Sequence, residues 1–175
     1  MRCQLAVQPD RSPTRRGAGG FTLIEMMTVV TILAVMAGLA APSMSRLLAQ
    51  QRLKAAASDL HLAMVKARGE AIKRNCNVGV APAGTWASGW TVAPVTSATP
   101  PDCPVGTGAT VLQHGPTSSV TVTSDAAVVI YMGTGRTTPA TAGSTFVFSS
   151  SSTDTSRCMA IDSTGRPYLK EGSSC

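Results

Sequence analysis

Aromatic side chains make up only 4% of this 175-residue chain and charged ones only 14%. With 43% apolar residues it is too apolar for a disordered tail and too poor in charge for a typical cytosolic enzyme. Nine acidic residues stand against fifteen basic ones, a net +6, yet much of the surplus lies at the start. There Arg2, Arg11, Arg15 and Arg16 face Asp10 alone. The rest of the chain therefore lacks the uniform basicity of a dedicated nucleic-acid protein. Five cysteines are present without a C-x-x-C pair, so neither a zinc ribbon nor a thioredoxin-type redox site is indicated. The two histidines, His61 and His114, have no G-x-S-x-G, HExxH or P-loop pattern around them. No catalytic residue, metal-ligand set or cofactor is expected, and the composition points away from enzymes.

What is there is one long apolar run. FTLIEMMTVVTILAVMAGLAA, residues 21–41, carries a single charge, Glu25. As a helix rising about 1.5 Å per residue it would span roughly 30 Å, a bilayer's hydrocarbon thickness. The preceding arginines place the N-terminus in the cytoplasm and the remainder outside, a single pass. A cleaved secretory signal would find a small-x-small site at Gly38-Leu39-Ala40, but the run is longer than a usual signal core and contains a carboxylate. Arg15-Arg16 does not open a twin-arginine signal, because Gly17-Ala18 follow. A carboxylate in an apolar span costs a few kcal/mol on insertion scales, so Glu25 should have a partner or a task.

Gly20-Phe21-Thr22-Leu23-Ile24-Glu25, followed by an apolar helix and Pro42, resembles the type III signal of type IV pilins and pseudopilins. The resemblance implies cleavage after Gly20 by a prepilin peptidase and N-methylation of Phe21. It also implies pairing of Glu25 with the amino terminus of a neighbouring subunit during assembly. Two charges, each costly in an apolar medium, offset one another when brought together. Pro42 lacks the N–H that would bond the Gly38 carbonyl and is expected to kink the helix where the membrane ends.

Beyond Pro42, Leu53, Ala57, Leu60, Met64, Ala67 and Ala71 recur at steps of four and three, one face of a helix. A single helix is predicted from about Phe21 to Arg74, ending at Asn75, with Gly69 a weak point and the apolar face lying on a sheet. Arg52, Lys54, Asp59, Lys66, Arg68, Lys73 and Arg74 take the other faces as solvated charges, with Glu70 and Arg74 placed to pair. The stretch from Lys66 to Asn75, KARGEAIKRN, is similar to the helix end of the GspH/FimT group, and Trp86-Ala87-Ser88-Gly89-Trp90 resembles that group's W-x-x-G-W turn. The group holds minor pilins of type IV pili and the H-type pseudopilin of type II secretion.

From Asn77 onward short β-favouring runs alternate with turn residues: 78–81, 90–93, 110–113, 120–123, 127–132, 145–149, 158–162 and 167–169. Segments 94–108 and 149–156 read as loops. The expected class is α+β, a long N-terminal helix packed on a C-terminal antiparallel β domain, with Trp86 and Trp90 as core or hairpin residues. The expected domains are a cleaved leader, 1–20, a membrane and filament-core helix, 21–41, an amphipathic half, 42–75, and an extracytoplasmic β domain, 76–175. Cys76, Cys103, Cys158 and Cys175 fall on the periplasmic side, where disulfides persist. Of three connectivities, Cys76–Cys103 with Cys158–Cys175 is favoured because each closes a loop of modest length. Cys3 lies in the leader.

Thr-Gly-Arg occurs twice, at 134–136 and 164–166. The second copy, continuing to Pro167-Tyr168-Leu169-Lys170, resembles the C-terminal G-R-x-R segment with which some FimT-type minor pilins bind DNA, although Tyr168 stands where the last arginine would be. Arg136, Arg166 and Lys170 would meet phosphates and Tyr168 could stack on a base. The expected function is a minor pilin or pseudopilin acting in filament initiation or at the tip. Its partners would be the prepilin peptidase, other minor and major pilins or pseudopilins, and the bacterial inner membrane. The alternative is a minor pilin that binds double-stranded DNA for uptake.

Overall fold

The computed structural model describes residues 20–99, 101–106 and 108–175, and the side chains of all of these except 40–42. The leader expectations at residues 1–19, Cys3 included, and the kink assigned to the Pro42 side chain lie outside the described residues. Two units, Met1–Ala40 and Ala41–Cys175, divide the chain.

One helix, α1, runs Leu23–Arg74, two residues inside the predicted start. Thr22 caps it, its Oγ1 accepting the Glu25 N–H at 3.3 Å. Thr28 and Thr31 donate their hydroxyls to the carbonyls of Glu25 and Met27, both at 2.8 Å, so neither leaves an unmet polar group on an otherwise apolar segment. The end is set by Asn75, whose φ of 51° is left-handed, while the Cys76 N–H reaches back to the Ala71 carbonyl at 3.3 Å. That six-to-one bond closes a Schellman-type terminus, and asparagine is the residue after glycine that best tolerates the conformation. Gly69 does not interrupt the helix.

Within Ala41–Cys175 the predicted face is the buried one. Leu53, Ala57, Leu60, Met64, Ala67 and Ala71 are all at most 1% exposed. They pack on two four-stranded antiparallel sheets rather than one. The first comprises β1 (Val78–Ala83), β2 (Thr85–Pro94), β3 (Leu112–His114) and β5 (Val129–Tyr131), in the order β3-β2-β1-β5. The second comprises β4 (Thr121–Ser124), β6 (Thr145–Ser150), β7 (Thr153–Ile161) and β8 (Pro167–Glu171), in the order β4-β6-β7-β8. Both sheets feed one core: Val78, Val80 and Trp90 from the first, Phe146, Phe148 and Met159 from the second, with the α1 residues between. Alanines on the helix face let it approach the sheets closely, and burial of the larger side chains contributes about 1.5–3 kcal/mol each.

Two local expectations are corrected. Segment 149–156 is not a loop: β6 runs to Ser150 and β7 resumes at Thr153, paired with it. Ser151 and Ser152 make the turn between the two strands, and hydroxyl residues suit an exposed strand face as well as a loop. Trp86–Trp90 is not a turn either, since it lies within β2, and the β1–β2 reversal falls at Gly84 instead. The motif has a packing reason. Trp86 donates its indole N–H to the Ala126 carbonyl at 2.9 Å and meets Phe146 edge-on, while Trp90 stacks on the His114 ring at 4.2 Å. Gly89, at φ 104°, sits where any Cβ would strike the backbone of His114 and Gly115, so the glycine is what lets β2 carry both indoles beside β3.

Candidate functional site

In the first unit the described side chains have no protein cover. Phe21 is 77% exposed, and the apolar residues from Leu23 to Leu39 are exposed throughout. Glu25 lies among them, its backbone satisfied by Thr22 and Thr28, and its carboxylate has no partner among the described residues. Gly20 precedes the helix in an exposed position, with nothing near its Cβ site. Among the described residues no single helix is long and apolar enough to cross a membrane; Leu23–Leu39 and Ser43–Arg74 meet that measure only as a pair.

The expected cysteine pairing is the pairing found. Cys76–Cys103 joins the end of α1 to the loop after β2, beside Asn77, whose amide donates to Asp102 at 2.7 Å. Cys158–Cys175 ties the C-terminal residues to β7.

The two Thr-Gly-Arg turns, thirty residues apart, come together. In each, the residue three before the glycine accepts its N–H, Met132 for Gly135 at 2.8 Å and Asp162 for Gly165 at 2.9 Å. That same residue donates to the arginine carbonyl, at 2.8 and 3.0 Å. The hairpins are thus built alike and dock glycine against glycine: a Cβ on Gly165 would lie 2.6 Å from the Gly135 carbonyl oxygen. Arg136 spans the joint, its guanidinium donating to the Ser163 carbonyl at 3.1 Å. Below them lie Ile72 and Arg68 of α1, close to Gly135. The joint fastens the first sheet to the second over the C-terminal end of α1.

Asp162 organises the second turn. Its Oδ1 accepts the Thr164 hydroxyl at 2.7 Å and the N–H groups of Thr164 and Arg166, both at 2.8 Å. These bonds, the Thr164 hydroxyl foremost, hold its carboxyl below the ordinary aspartate range. Likewise Arg74, bonded at 2.8 Å, lowers Glu70, as the i,i+4 spacing anticipated. Tyr131 is fully buried with its hydroxyl unpartnered, and burial pushes that phenol up.

The proposed DNA residues divide. Arg136 is engaged in the joint, and Arg166 extends from it, exposed. Lys170 instead donates to the Cys175 carbonyl at 2.9 Å and lies 5.5 Å from the centre of the Tyr168 ring, so those two side chains attend the C-terminal segment and each other. The histidines tie strands to the helix: His61 donates to the Pro167 carbonyl at 3.2 Å, and His114 Nε2 lies 3.3 Å from the Asp59 carboxylate. Sequence reading missed the docking of the twin turns and the His114–Trp90 stack. Its one available signal was the repeated tripeptide.

A family model described as type II transport protein GspH matches residues 56–165. The chain belongs to the GspH family. A second model, the prokaryotic N-terminal methylation motif, matches residues 15–41, and together they make this a type IV pilin-like protein of the GspH/FimT group. The fold is similar to two crystal structures of the Pseudomonas aeruginosa type IV minor pilin FimU. The first has a TM-score of 0.57 at 20% identity, covering 72% of this chain and 96% of that one. The second has a TM-score of 0.55 at 20% identity, covering 70% and 99%. No curated protein matches the sequence. The GspH match spans the core face of α1 from Ala57 onward, both indoles, the first Thr-Gly-Arg turn and the second as far as Gly165.

Proposed function

We propose that this GspH-family chain is a minor pilin or pseudopilin, a structural subunit that works by helix packing and not by catalysis. Residues 21–41 hold it in the inner membrane, N-terminus in the cytoplasm and residues 76–175 in the periplasm. A prepilin peptidase cuts between Gly20 and Phe21, Phe21 is N-methylated, and the chain is drawn into the initiating or tip complex of a type IV pilus or type II secretion filament. The observation that carries this reading is Glu25: a carboxylate with no partner among the described residues, on an uncovered apolar helix and four residues from the amine that cleavage would create. Docking against a neighbour's amine offsets the cost of both charges in an apolar medium. Glu25→Ala should leave membrane insertion intact and remove the chain from sheared filaments. Undiminished incorporation of that variant would defeat the mechanism.

A second reading, a minor pilin that binds double-stranded DNA, is favoured by one observation. Arg166 projects exposed from the twin-turn joint while Asp162 beside it is occupied by its own turn. Backbone phosphates would be its target, so binding should weaken steeply with salt and drop with Arg166→Ala. Absence of binding at low salt would return Arg166 to a turn residue.

A further inference from the structure

Seven carboxylates lie between Ala41 and Cys175, and six are bonded or ion-paired within the fold, from Asp59 beside His114 to Glu171 on Arg157. Asp154 is the exception: it has no partner among the described residues. It lines a cleft of about 310 Å³ between α1 and the β6–β7 reversal, with Arg46 and Gln50 on the helix and Ser151 and Ser152 on the turn. Arg46 and Gln50 also lack partners among the described residues, and no ion pair joins Arg46 to Asp154. In the adjoining hollow Arg157 and Glu171 neutralise each other at 2.9 Å, so they add no net charge to the cleft.

We propose that this cleft takes the headgroup of an aminophospholipid from the outer leaflet of the membrane that holds the chain. Phosphate would meet Arg46 and the two serine hydroxyls, and the primary ammonium would meet Asp154. The inference rests on the reading of residues 21–41 as the membrane segment. Arg46 follows the end of that run by five residues, about 7.5 Å of helix, and the headgroup layer on each side of the hydrocarbon is about 5–7.5 Å deep. Its neighbours on the same turns, Met44, Leu47 and Leu48, are 57%, 48% and 49% exposed, apolar groups better accommodated at a bilayer surface than in water. Two unpaired charges of opposite sign, held apart, match a zwitterion. A simple anion at Arg46 would face Asp154 with like charge. A glycerol headgroup would leave that carboxylate without a counter-charge, and a choline headgroup has no N–H to donate to it.

The test uses the full chain purified in non-ionic detergent and offered equal amounts of phosphatidylethanolamine, phosphatidylglycerol and phosphatidylcholine with matched acyl chains. Native mass spectrometry counts the lipid retained. Phosphatidylethanolamine should be retained about fivefold over the other two, the upper end for an exposed ion pair. Asp154→Asn should remove that preference, Arg46→Gln should lower retention of the ethanolamine lipid, and Arg46→Lys should keep most of it. Both positions are exposed, so the fold should survive each change, and unaltered urea midpoints check this. No preference, a preference for phosphatidylglycerol, or indifference to both Asp154→Asn and Arg46→Gln would each overturn the proposal. So would displacement of the lipid by equimolar glycerophosphoethanolamine, which would make this a site for a soluble ligand. Flotation of the chain with vesicles is read in parallel. Flotation without a lipid preference would defeat the headgroup site and leave the membrane reading standing. A preference without flotation would uphold the cleft and defeat the membrane reading, whereas neither would overturn both.

Discussion

Three glycines of nearly equal conformation allow the twin-turn joint to be weighed. Gly143, Gly135 and Gly165 have φ of 80°, 78° and 82°, so an alanine at each meets the same left-handed penalty, about 1 kcal/mol. Their surroundings differ. A Cβ at Gly143 meets nothing within 4 Å, so Gly143→Ala should cost about 1 kcal/mol in total. At Gly135 the nearest atom is Ile72 Cδ1, 2.8 Å away, the end of a half-exposed side chain that can rotate aside. Gly135→Ala should therefore cost about 1–2 kcal/mol. At Gly165 the obstacles are backbone: the Gly135 carbonyl oxygen at 2.6 Å, Arg136 Cα at 3.1 Å and Thr137 N at 3.2 Å. Relief there requires the two hairpins to separate, adding an overpacking cost of about 1–3 kcal/mol, for a total of about 2–4. Urea unfolding of the full chain in mild detergent, followed by the fluorescence of Trp86 and Trp90, reads the difference, since both indoles lie in the core. Equal midpoints for Gly143→Ala and Gly165→Ala would refute the docked joint.

Other outcomes follow from the same geometry. Asp162 is held below the ordinary aspartate value of about 3.9, so its contribution to stability is complete above that value and is lost as pH falls through the lower folded-state value. Asp162→Ala should thus be less stable than the parent at pH 6, with the gap closing toward pH 2; a gap that is constant with pH would show the carboxylate's bonds to be immaterial. Cys76–Cys103 and Cys158–Cys175 close separations of 27 and 17 residues, for which the chain-entropy estimate is about 3.5 and about 3 kcal/mol. Changing Cys76 and Cys103 to serine should cost more than changing Cys158 and Cys175, because the former pair is buried and anchors the end of α1 while Cys175 is half-exposed. The reverse order in urea midpoints would contradict that placement.

Local chemistry made several features legible before any fold was known. An uninterrupted apolar run with one carboxylate, a helix face repeating at steps of four and three, and asparagine at the helix end are all patterns over neighbouring residues. The structure reproduces them in α1 from Leu23 to Arg74 and in its buried face. Loop length favoured one of three cysteine connectivities, but sequence alone left the choice open and the structure made it. Strand edges were less so: Ser149–Ser156 has the composition of a loop, and only pairing with a neighbour made it strand. Two results belonged to tertiary structure entirely. Gly165 meets Gly135 across thirty residues because the two sheets share one core, and no local rule says which turns will touch. That Leu62, Val65 and Ile72 stay exposed is decided only once the opposite face of α1 is covered, for a helix apolar on two sides does not say which side the fold will take. Sequence periodicity sets which residues share a face; packing against a particular sheet sets which face remains exposed.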